Sequence, residues 1–131
     1  MRGIGVVLDT AALLAYANGS SSIGEYVAVL ADRGEAVLIP ATCLASAYRD
    51  VGDDGLDLLD LIASLDHSMV APLERDHCAI LGGWARALGL DTAQAAIEAA
   101  AHAIVPLMTS KRDLVTQFLP KEWPIIDVRY E

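Results

Sequence analysis

Five short apolar runs rich in Val and Ile, "GIGVVLD" (3–9), "EAVLIP" (35–40), "HSMVAPL" (67–73), "AIVPLMT" (103–109) and "WPIIDVR" (123–129), are separated by longer stretches with helical spacing. Several are apolar on both faces, which suits strands of a parallel sheet covered by helices. The alternation predicts an α/β fold: a three-layer α/β/α sandwich around a mainly parallel sheet of five strands. With 131 residues the chain is read as one domain, 1–131, large enough for a single core without disulfide or metal staples.

The intervening segments carry helix signals. In "SSSIGEYVAVLADRG", Ser22 and Glu25 stand three apart as a capping box and Gly34 closes the helix. Pro40 suits the first turn of "ATCLASAYRDV", where Leu44, Ala47, Tyr48 and Val51 keep helical spacing. "DGLDLLDLIASLD" sets Leu56, Leu59, Ile62 and Ala63 against Asp57 and Asp60. "ERDHCAILGGWARALG" ends at Gly89, and its Gly82–Gly83 pair suggests close packing or a weak point. "DTAQAAIEAAAHA" begins at Asp91, a candidate N-cap, and is alanine-rich enough for another backbone to approach closely.

Charge and cysteine content narrow the function classes. Nine basic against 18 acidic residues give a formal charge of −9, a field that disfavours sequence-blind nucleic-acid binding and favours a cationic partner. No apolar run reaches the roughly 18 residues of a membrane span, and Asp9 interrupts the first run, unlike a secretory signal. A soluble protein of the cytoplasm is expected, with no membrane partner. Cys43 and Cys78 lack partners at metal-ligand spacing and are read as small buried hydrophobes in a reducing compartment.

An open parallel sheet gathers ligands at the carboxyl ends of its strands. Four segments would meet there: Asp9, the "ATCLASAYRD" helix, the "DTAQAAIE" helix and the turn "TSKRD". "VVLDTAALLAY", "LIPATCLASAYRDV", "LDTAQAAIEAAAHA" and "VPLMTSKRDL", in that order over nearly the whole chain, resemble a PIN domain, in particular the short VapC-type toxins of toxin–antitoxin pairs. The resemblance implies a ribonuclease fold whose clustered carboxylates hold Mg²⁺ or Mn²⁺, which activates water and clamps a phosphodiester. It also implies a homodimer and a protein partner of antitoxin type.

Matched residue by residue, the acidic site is degenerate. Asp9 matches the acid ending the first strand, and Thr10 the hydroxyl after it. Ser46 stands where the family has Glu, Gln94 where it has Asp, and Lys111 where the pattern Thr109-Ser110-Lys111 should end in Asp. An ammonium at a divalent cation's position repels the metal, so Lys111 is expected to pair with Asp9. The acids that could compensate are Asp113, two residues after Lys111, Asp91 and Glu98; Asp50 reads as helix-end surface. On helices an offset of three or four residues moves a side chain about 5 Å along the axis, too far for a metal site.

The expectation is therefore a domain with no confident catalytic residue and no resident metal or other cofactor. It would act through protein contacts, in regulation or a toxin–antitoxin pair, with RNA binding left open. The alternative is a Mg²⁺- or Mn²⁺-dependent endoribonuclease with a rearranged site. A third reading is a structural subunit dimerising through "GLDLLDLIASL" or the alanine-rich helix. His67, His77 and His102 are not spaced as a zinc set. Arg49 and Arg112 are expected to pair with Asp50 and Asp113, and Trp84 and Trp123 to pack in the core. There is no phosphate-cradling glycine loop and no "GxSxG" elbow; Ser46 without a positioned His is no nucleophile.

Overall fold

The computed structural model describes residues 3–102 and 104–128. Each expected apolar run contributes one strand: β1 (Ile4–Leu8), β2 (Ala36–Pro40), β3 (Ser68–Ala71), β4 (Leu107–Thr109) and β5 (Ile125–Asp127). Ala103 and Arg129, at the ends of two of these runs, lie outside the described residues. All pairings are parallel and the order is β3-β2-β1-β4-β5. The chain steps outward from β1 to β3, then crosses back to β4 and β5. Right-handed crossovers therefore put the helices of the first half on one face and those of the second half on the other. This is the expected three-layer α/β sandwich.

The first face carries α1 (Thr10–Ala17), α2 (Ser21–Asp32), α3 (Ala41–Asp50) and α4 (Leu56–Ser64). The other carries α5 (Cys78–Ala101), which packs on β1, β2 and β4, and the short α6 (Arg112–Val115). β1 and β2 are the fully covered centre: Val6, Val7, Leu8, Val37 and Ile39 have no exposed surface. Gly5 sits at a register shift between Ile4 and Val6, where an added Cβ would lie 2.6 Å from both Glu35 Oε2 and Leu30 Cδ2, so a larger residue there would have to displace those two side-chain ends.

Several local expectations change. Helix α1 follows β1 directly, in a stretch so uniformly apolar that periodicity cannot separate strand from helix. α2 is capped by Ser20, whose Oγ accepts from Ile23 N–H at 3.5 Å, in place of the expected Ser22. The two helices expected after β3 form one element interrupted at Gly89 (φ 79°, ψ 160°), a left-handed conformation that glycine adopts without a Cβ clash. Gly82 and Gly83 do not serve close packing: a Cβ on either would meet nothing within 4 Å. Beyond the kink the alanines do admit a neighbour, with Ala93, Ala95, Ala96 and Ala99 fully buried and α3 packed against α5. Cys43 is buried as expected, whereas Cys78 is exposed in the first turn of α5. Trp84 stacks near Phe118 with centroids 5.2 Å apart, and Trp123 Nε1 donates to Val105 O at 2.9 Å, so both tryptophans hold structure together.

Candidate functional site

The strand order reverses between β1 and β4, and the crevice past their carboxyl ends is the natural ligand position. There a cleft of about 330 Å³ is lined by Asp9, Thr10, Arg49, Asp50, Asp91 and Lys111, among others. Its size lies within the range of small-ligand sites. Among the described residues no membrane-length apolar helix accompanies it.

Asp9 leaves β1 and caps α1, its Oδ1 accepting from Ala12 N–H at 3.0 Å. The residue is 1% exposed. Burial pushes its carboxyl up from 3.8 to about 6, against the opposing effect of hydrogen bonds from the Thr109 hydroxyl and Ala12 N–H. The Asp91 charge raises it further, and the Lys111 charge lowers it least of all these influences.

Thr10 Oγ1 donates to Asp91 Oδ2 at 2.5 Å, joining the first turn of α1 to α5 just after its kink. Asp91, read from the sequence both as a candidate N-cap and as a compensating acid, thus faces the cleft. Its backbone carbonyl accepts from Cys43 Sγ at 3.0 Å, which fixes α3 to the same turn.

Gln94 is almost completely buried, and its amide is fully committed. Oε1 accepts from Thr42 N–H at 2.9 Å and Thr42 Oγ1 at 2.7 Å, while Nε2 donates to the carbonyls of Ala71 at 3.2 Å and Pro72 at 3.3 Å. Two acceptor and two donor sites exhaust what a carboxamide offers. Gln94 is a strut tying α3 and the end of β3 to α5, and it does not line the cleft.

The expected Lys111–Asp9 ion pair does not form. Lys111 Nζ donates to Leu88 O at 3.4 Å, and its backbone N–H donates to Thr109 Oγ1 at 3.0 Å, so the ammonium lines the cleft while tethered to the kink. Ser46 is half-buried on α3 outside the cleft lining. Asp113 is exposed and its carbonyl accepts from Thr116 Oγ1 and Gln117 Nε2; it too lies outside the lining. Glu98 is buried but lines a separate groove, 3.3 Å from His102 Nε2. Of the three compensating acids, only Asp91 reaches Asp9's cleft.

Arg49 pairs with Asp50 as expected, at 2.8 Å, on the exposed rim. Arg112 does not pair with Asp113; its guanidinium bonds Asp127 at 2.8 Å and Ile125 O at 2.9 Å, binding α6 to β5.

A divalent cation fits this donor set poorly. Asp9 Oδ1 is engaged by a backbone donor and Asp91 Oδ2 by Thr10, Gln94 oxygen is consumed by Thr42, and an ammonium shares the space. Among the described residues no three His, Cys, Asp or Glu side chains converge as metal ligands. Compared with known proteins, the chain matches no family model and no curated protein.

Sequence reading could have reached Thr42: it is the hydroxyl in the first turn after Pro40, facing the helix that carries Gln94. Nothing in the sequence announces the Leu88 carbonyl as a lysine's partner.

Proposed function

We propose that the chain is a PIN-like domain, similar to VapC-type toxins, whose nuclease centre has become a binding cleft for a protein partner of antitoxin or regulator type. The observation that carries this reading is the saturated Gln94 amide: the position that would hold a third carboxylate is spent on structure. What remains suits a cationic side chain from a partner. Asp9 and Asp91 border the cleft, Asp50 being already paired with Arg49 and Lys111 being held on the Leu88 carbonyl, and a guanidinium entering beside Asp9 would recover the ionisation that burial opposes. Homodimerisation belongs to the same reading.

Incubating the purified protein with RNA and Mn²⁺, beside an Asp9→Ala control, tests it. Equal, background cleavage in both is expected; metal-dependent cleavage lost in the control overturns the proposal. A second reading, a Mg²⁺- or Mn²⁺-dependent endoribonuclease with a rearranged site, is favoured by one observation: Thr10 bridges toward Asp91 and so keeps two carboxylates at one cleft. The same assay separates the two.

A further inference from the structure

The two edges of the sheet are finished differently. At β5, Arg112 covers the strand: its Nη2 donates to Ile125 O and its Nε bonds Asp127. Such charged cover is how proteins blunt an edge. β3 has none. Met69 and Val70 are 45% and 44% exposed, and the run "HSMVA" contains no Lys or Arg; Pro72, just past it, ends the edge, so Val70 is the residue within β3 that offers both a free N–H and a free carbonyl to an added strand. Val37 N–H bonds His67 O, so the parallel alternation turns Met69 and Ala71 toward β2 and the peptide groups of Val70 toward the open edge.

Beside this edge, between β1 to β3 and the last turns of α5, lies a groove of about 400 Å³. Leu38, Met69 and Val70 give it an apolar floor, and Glu74, Asp76 and Glu98 give it carboxylates. No Lys or Arg lines it. The Glu98 side chain is only 7% exposed at the inner end, with His102 beside it. A second copy of this chain is a poor occupant, because edge-to-edge pairing would bring two sets of Glu74 and Asp76 together in a protein of charge −9.

We infer that β3 and its groove form a docking site for an extended, basic segment of a partner protein, which adds as a strand beside Val70 and places a Lys or Arg side chain on Glu98. Main-chain bonds to the open edge hold the segment, and the groove selects alternate side chains. The apolar floor takes the methylene stem while the carboxylates take the charged head. This site is separate from the Asp9 cleft and stands whether or not that cleft binds a partner.

The test uses NMR titration of the whole chain with a terminally blocked heptapeptide alternating valine and lysine. Saturable shifts are expected at the Met69, Val70 and Ala71 amides and at the His102 ring. Replacing its lysines by glutamate, N-methylating alternate peptide nitrogens, or introducing Glu98→Gln or Met69→Lys should each weaken binding about tenfold or more. Met69→Lys changes an exposed side chain, so it tests the edge in a folded protein even if Glu98→Gln perturbs packing. The inference is overturned by no saturable shift, by shifts confined to Thr10 and Asp91, or by equal binding of the glutamate or N-methylated peptide. It is also overturned if n-butylammonium alone shifts these residues as strongly, which would mean a small-amine site, or if sedimentation shows self-association that Met69→Lys abolishes.

Discussion

The two acidic hollows of this protein are both served by the second half of α5, yet they are built on opposite plans. In the cleft at the sheet's reversal point, charge is answered from within: Ala12 and Thr109 on Asp9, Thr10 on Asp91, Arg49 on Asp50. In the groove at the β3 edge only Glu98 has a partner there, His102 at 3.3 Å, while Glu74 and Asp76 stand near an apolar floor with no Lys or Arg among the lining residues. Gln94 lies between them on the same helix and holds the backbone on which both depend. An acidic hollow is thus informative through what already satisfies it, more than through its count of acids.

The largest effect should come from the element the hollows share. Gln94→Ala strands Thr42 N–H and the Ala71 carbonyl in a buried site and should destabilise the fold by about 3 kcal/mol in urea unfolding. A loss below about 1 kcal/mol would mean that the strut is not what fixes either hollow.

Asp9→Asn should act in the other direction. The folded protein raises this carboxyl from 3.8 to about 6, so the native state binds more protons than the unfolded one between those values. The protonated carboxyl's advantage is complete below pH 3.8 and is lost as pH rises through 6. Above pH 6 the ionised Asp9 opposes folding by up to about 3 kcal/mol, and an asparagine, still able to cap α1, removes that penalty. The variant should be the more stable at pH 7.5 and lose its advantage by pH 4 in paired melts. An advantage independent of pH would place the effect outside Asp9's ionisation.

Thr10→Val tests the cleft's internal satisfaction more gently. Removing the donor to Asp91 should lower stability by about 1 kcal/mol and leave peptide binding at the β3 groove unchanged. Coupled loss of both would merge the two hollows into one unit. The smallest change serves as a control: Gly82→Ala, in open space within α5, should raise stability by roughly 0.5–1 kcal/mol with no effect on either hollow.

The sheet was legible because its strands are buried on both faces and so stand out as apolar runs. α1 was hidden by the same apolarity, since all but Thr10 of its residues are apolar or aromatic and leave no polar stripe to mark a helical period. At the site, Asp9 and Asp91 could be located from strand ends and caps, but not their connection through Thr10, which spans 81 positions of sequence. Gln94 could be marked as a departure from a pattern; that its amide is saturated depends on where β3 ends. Lys111 was aimed at the wrong group because charge pairing says nothing about which acceptor the turn brings within reach.

That acceptor follows from the break in α5. With Gly89 at φ 79°, the preceding turn loses its regular succession of acceptors and donors, and Leu88 presents a carbonyl that a lysine can take. A glycine with no contact to any ligand thereby governs how far a positive charge stands from Asp9. An engineer wishing to place a carboxylate at position 111 would have to treat the backbone at position 89 as part of the design, because the leash belongs to α5 and the charge it restrains to the turn before α6.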